Sequence, residues 1–100
     1  MASDATAYPP IDFLTIGHIC QDVVSGGLVI GGAAAYTAAV ASALGCRSAV
    51  VTSAAADADW SVELPGIAIQ NATALQSTCF ENVYTSAGRI QTIHAVADKL

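Results

Sequence analysis

The stretch from Val29 to Thr52, VIGGAAAYTAAVASALGCRSAVVT, limits the possible folds more than any other part of the chain. Between Ala33 and Leu44 it holds no glycine, proline or charge, and alanine, the strongest helix former, dominates. Tyr36, Val40 and Leu44 recur at every fourth position, with Thr37 and Ala41 beside them, which marks one face of a helix. Gly45 stands where a left-handed C-terminal cap is expected, and Arg47 follows where positive charge suits the helix end. Ahead of the helix, Gly31 and Gly32 lack Cβ atoms, so the backbone can bend sharply and a ligand or another segment can approach. The run from Ser48 to Thr52 suits a parallel strand covered on both faces. A helix followed by such a strand is half of a βαβ unit, so the predicted fold class is α/β.

The rest of the chain reads mainly as strands. Ile11 to Ile19 is the predicted first strand, with Phe13, Leu14 and Ile16 buried. Asp22 then falls where that strand emerges at the carboxyl edge of a sheet, the edge at which open α/β sheets bind ligands. A carboxylate there can accept hydrogen bonds from sugar hydroxyls, the alternative being a solvated turn aspartate. Val23 to Ile30 reads as a hairpin around Gly26-Gly27. In the small, polar patch from Ser53 to Asp59, Asp57 or Asp59 is placed to cap a short helix through Trp60 and Leu64, stopped by Pro65-Gly66. Trp60 reads as a packing anchor, and 66–69 as another short strand. Cys79–Thr85 and Arg89–Ala95 form a second predicted hairpin around Ser86-Ala87-Gly88. Arg89, one of three basic residues, either meets an anion or carboxylate or is simply solvated. His94 has no second ligand at metal-binding spacing.

Composition narrows the partners. With 54% hydrophobic residues the chain is too apolar to be disordered, and with 11% charged residues it falls well below the usual ~25% of a soluble domain. That imbalance suggests a surface partly meant to be covered. A net charge of −5 with three basic residues argues against a nucleic-acid partner. No formal charge occurs between Asp22 and Arg47, but the interval holds five glycines and is otherwise mainly Ala, Ser and Thr, so it suits a buried helix better than a membrane span. Cys20, Cys46 and Cys79 are odd in number and without metal-ligand spacing, which suits reduced thiols in a cytoplasmic protein. Residues 1–10 read as a flexible lead without an export signal, and residues 11–100 as the domain. None of the phosphate-loop, nucleophile-elbow or zinc-protease motifs occurs.

The segment GGAAAYTAAVASALG resembles the N-terminal signature of the PfkB-type carbohydrate kinases, the ribokinase family: a Gly-Gly pair, a small-residue helix and a closing Leu-Gly. IDFLTIGHICQDVV is similar to that family's first strand with its substrate-contacting aspartate, and CFENVYTSAGRIQ to its lid strands. Together these cover most of the chain from Ile11 to Val96. The resemblance implies a ribokinase-like fold, the N-terminal part of a mainly parallel sheet with flanking helices plus β lid strands. It also implies ATP- and Mg-dependent phosphoryl transfer to a hydroxyl of a sugar, polyol or nucleoside, and a dimer formed through the lid strands.

By that resemblance Asp22 holds substrate hydroxyls, the backbone at Gly31 and Gly32 lies against the substrate, and Tyr36 and Arg89 are further candidates for substrate contact. Tyr36 stands where sugar-specific members often carry asparagine, which argues against ribose and makes myo-inositol or a similar polyol a reasonable acceptor. The family's catalytic base lies in a G-A-G-D motif at a helix N-terminus, whose amides stabilise phosphate charge. These 100 residues hold neither that motif nor a nucleotide site. The chain is therefore expected to be the substrate-side portion of such a kinase, without a catalytic residue, inactive alone, and marginal, oligomeric or aggregation-prone. The alternative is a non-catalytic polyol-binding module or a decayed remnant.

Overall fold

The computed structural model describes residues 10–100, so the predicted N-terminal lead lies outside the described residues except for Pro10. The elements in order are β1 (Phe13–Ile16), β2 (Cys20–Val24), β3 (Gly27–Gly31), α1 (Ala33–Ala43), β4 (Ser48–Ala55), β5 (Ala68–Ala74), β6 (Cys79–Thr85) and β7 (Gly88–Ala95). They build two sheets. A base sheet of order β1-β4-β5 is parallel throughout and carries α1 on one face. A second sheet of order β3-β2-β6-β7 stands beyond it as the lid. The expected α/β architecture with lid strands is present.

Helix α1 runs where the alanine-rich segment predicts. Gly32 precedes it with φ 94°, and Gly45 closes it with φ 94°, its N–H donating to the Ser42 carbonyl at 3.0 Å. The face marked by the larger side chains is the outer one. Ala34, Ala35, Ala38 and Ala41 point inward, whereas Tyr36, Val40 and Leu44 are 59%, 59% and 79% exposed. Methyl side chains let the helix backbone lie close to the sheet, where larger ones would hold it off. The core beneath is Ile19, Val50 and Leu64, with Trp60 packed at its margin as the anchor expected.

Strand β4 is buried along nearly its whole length, as its apolar run predicts, but it continues to Ala55 and absorbs part of the polar patch. Of its buried polar side chains Thr52 is paired, whereas the hydroxyls of Ser48 and Ser53 have no hydrogen-bond partner. Thr52 Oγ1 accepts from the Ile19 N–H at 2.9 Å, and the Ala54 N–H donates to Asn71 Oδ1 at 2.9 Å. Between the strand end at Ala55 and Pro65-Gly66 the chain makes a single helical-type bond, from the Leu64 N–H to the Trp60 carbonyl at 2.8 Å, and a short stretch gives little return on the cost of nucleating a helix. Residues 56–65 accordingly form turns, in which Asp59 Oδ1 accepts from the Ser61 N–H at 2.9 Å. The predicted short helix is absent. The strand expected at 66–69 is observed later and longer, as β5.

Two expectations about the first strand also change. Phe13, Leu14 and Ile16 are 37%, 55% and 66% exposed rather than buried, because β1 is an edge strand with no outer neighbour among the described residues. The strand stops at Ile16, and residues 17–19 carry the chain past α1 into β2, so Asp22 sits inside a lid strand rather than beyond the base-sheet edge.

The lid joins two predicted hairpins. β2 and β3 turn at 25–26, β6 and β7 turn at 86–87, and a parallel pairing of β2 with β6 holds them together. Helix α1 meets the lid at β3, where Ile30 packs against the core, while Val29, Tyr84, Ile90 and Ile93 are all exposed. The projecting lid gives a Cα radius of gyration of 15.2 Å, against about 13 Å for a compact chain of this length. Among the described residues no helix is long and apolar enough to cross a membrane, and all three cysteines are free thiols.

Candidate substrate site

The site is built where the chain passes between base and lid. β3 runs antiparallel to β2 with Cys20 opposite Gly31 and Asp22 opposite Val29. Residues two apart on a strand share a face, so Asp22 and Gly31 lie on the same side of the lid. The contact is close. A Cβ built on Gly31 would lie 2.6 Å from Asp22 Cγ and 2.7 Å from its Oδ1. Asp22 is half-buried, yet it accepts no hydrogen bond and forms no ion pair among the described residues. A partly desolvated carboxylate without donors is costly, and hydroxyl groups are the natural donors to offset that cost.

Gly32 answers a different demand. Its φ of 94° is left-handed, and a Cβ there would meet the His18 carbonyl oxygen at 2.7 Å and Cys20 Sγ at 3.2 Å. Burial first, then the negative charge of Asp22 and the proximity of Cys79, push the Cys20 thiol above its ordinary range. That thiol stays protonated at neutral pH and is a poor nucleophile. His18 Nε2 lies 2.6 Å from the Asp98 carbonyl oxygen, which ties the end of the described chain to the same junction.

Of the five residues singled out in the sequence, Asp22, Gly31 and Gly32 come together. Tyr36 lies beside them: its hydroxyl donates to the Ile30 carbonyl at 3.4 Å, while its ring lines an apolar groove on the outer face of α1 with Phe13, Val40 and Leu44. Arg89 stands apart. It pairs with Tyr84, four residues along β6 from the Asp22 partner Phe80, or about 13 Å at the rise of a β-strand.

Two further features went unnoticed in the sequence. Asn82 shares the Asp22 face of the lid, two residues beyond Phe80, and its Oδ1 is buried without a hydrogen-bond partner. On the hairpin's other side is a cleft of ≈ 320 Å³ between Gln21, Leu28 and Ile30 and a wall made of Asp57, Asp59, Trp60 and Glu63. Asp22 does not line it. The pattern of three carboxylates and a tryptophan within seven residues was visible, but Asp57 and Asp59 read equally well as helix caps. No lysine or arginine lines this cleft.

No protein-family model matches the chain, and no curated protein matches it in sequence. Solved structures do match. A pyrophosphate-dependent kinase in the ribokinase family, complexed with a pyrophosphate analogue and myo-inositol, aligns at 24% identity and TM-score 0.69, over 89% of this chain and 34% of that one. A sulfate complex of a pyrophosphate-dependent kinase in that family aligns at 24% identity and TM-score 0.70, over 89% and 35%. Fructokinase from Xylella fastidiosa aligns at 21% identity and TM-score 0.55, over 86% and 34%. The chain spans about a third of the length of the structures it matches. At this identity the likeness establishes the ribokinase-like fold.

Proposed function

We propose that this chain forms the acceptor-binding side of a ribokinase-like kinase, which phosphorylates a hydroxyl of an uncharged sugar, polyol or nucleoside. One observation carries the reading: a half-buried Asp22 carboxylate, without a hydrogen bond among the described residues, is held over Gly31 where lid and base meet. Asp22 accepts hydrogen bonds from two neighbouring hydroxyls of the acceptor and so orients the ring. The lid sheet screens the acceptor from water, which protects a transferable phosphoryl group from hydrolysis. Myo-inositol, bound in one of the matched kinases, is a fitting acceptor.

The donor of the resemblance is ATP with Mg, whereas two of the matched kinases use pyrophosphate. The residues present fit neither. The described residues hold no grouping of three His, Cys, Asp or Glu side chains able to take a metal ion, and no basic side chain faces the cleft. The chain accordingly contributes acceptor binding, and neither the donor site nor the catalytic base is assigned to its residues. Titrating labelled protein with myo-inositol, fructose and adenosine tests the reading. The expected result is saturable amide shifts at Asp22 and Gly31 with one of them, abolished by Asp22→Ala. Shifts that survive Asp22→Ala, or none with any of the three, would sink it.

A further inference from the structure

We propose that Gly31 is a positioning residue for Asp22: the space left by its missing Cβ is the seat of the carboxylate, and Gly31 acts on the acceptor through that carboxylate rather than through its own backbone. What Asp22 binds rests on the function proposed above; how Asp22 is held does not. Gly31 is not among the glycines with positive φ, namely Gly27, Gly32, Gly45, Gly66 and Gly88, so its conformation is open to any L residue. The need for glycine there is spatial.

The three atoms nearest a Cβ on Gly31 all belong to one group: Oδ2, Cγ and Oδ1 of Asp22. No hydrogen bond from the described residues fixes that carboxylate, so its position is set by the surface beneath it. A methyl group at residue 31 would take the seat, and the short aspartate side chain would swing away, since its tip is freer to move than backbone. Gly32 is the contrasting neighbour. A Cβ there meets the main-chain oxygen of His18 and the backbone conformation is left-handed, so nothing can yield cheaply. One glycine of the pair serves the ligand group and the other serves the fold.

The test uses the full chain as wild type, Gly31→Ala, Asp22→Ala and the double variant, with Gly32→Ala as control. Myo-inositol affinity and thermal midpoint are measured for each. Gly31→Ala should weaken myo-inositol binding by about tenfold or more, the loss of a charged hydrogen bond, while the fold is kept. The double variant should bind no more weakly than Asp22→Ala alone. Gly31→Ala should lower the midpoint when Asp22 is present and leave it unchanged when residue 22 is alanine, whereas Gly32→Ala lowers it in either background. Unchanged affinity in Gly31→Ala, or an equal loss of midpoint with and without the carboxylate, overturns the proposal. If the wild type does not bind myo-inositol, the acceptor assignment falls for that probe, and the thermal comparison alone decides whether Gly31 seats Asp22.

Discussion

The base and the lid hold themselves together in opposite ways. In the base, β4 is closed off by α1 on one face and by neighbouring strands on both edges, and Val50, Thr52 and Ser53 have no exposed surface. In the lid, Leu28, Val29, Tyr84, Ile90 and Ile93 are all about half exposed or more. Burial therefore dominates the energetics of the base, while the lid rests chiefly on its backbone ladder and cross-strand pairs. Two layers are the minimum that hides an apolar sheet face, and the lid by itself supplies only one. A surface group meant to meet a ligand is easier to keep free on the less crowded sheet, which is where Asp22 lies.

The largest expected effect compares one truncation in each region. Val50→Ala, at 0% exposure in the core, should cost about 2 kcal/mol, combining lost transfer energy with a cavity. Ile90→Ala, 58% exposed on β7, should cost less than about 0.5 kcal/mol. Urea unfolding of both variants measures the difference. Equal losses would mean that the lid is covered in solution, as the expected lid-to-lid dimer requires, and the contrast between the regions would disappear.

A smaller effect sharpens the comparison at the rim of the base. Asp12 accepts from Arg47 Nη2 at 2.9 Å and Nε at 3.1 Å, and also from the Arg47 backbone N–H at 2.8 Å. The guanidinium hydrogen bonds first, then the backbone donor, hold the Asp12 carboxyl down at about 2, from an ordinary 3.8. A carboxylate depressed on folding stabilises the native chain above its unfolded value and loses that contribution as pH falls toward its folded value. The window is thus between 3.8 and about 2. Both partners are well exposed, so the effect is modest and weakened by salt. Asp12→Asn should flatten the acid side of the stability curve in that window. Parallel wild-type and variant curves from pH 5 to pH 2 would remove the ion pair from the account.

What the sequence revealed, it revealed through local signals. The glycine before α1, the alanine run and the Gly45 cap each act within a few residues, and both hairpins were legible from turn residues between β-prone runs. Burial was not local. The helix carries large residues at Tyr36, Val40 and Leu44, yet close packing against β4 selects the alanine side, a choice set by a partner that spacing cannot see. Phe13, Leu14 and Ile16 look like core residues and lie on an edge strand. Gly17, where the chain leaves the base, passes close to the helix: a Cβ there would come 3.2 Å from Ala34 Cβ, a closeness invisible without the helix in place. Asp22 and the glycine pair were legible as a candidate site, but the contact between Asp22 and Gly31 required the register of β2 on β3.

The pairing of β2 with β6 also favours one order of events in folding. Residues 21–23 lie beside 79–81, and the roughly sixty positions between them contain β3, α1, β4 and β5. Each lid hairpin is local and can close within microseconds, whereas bringing two segments together across so long a loop carries an entropic penalty. Folding the base shortens that loop to the distance between two neighbouring strands. The lid is then expected to assemble last, from two finished halves, by a seam three residue pairs long. Pulse-labelled amide exchange during refolding should show protection in β4 before protection along the seam, and simultaneous protection would contradict this order.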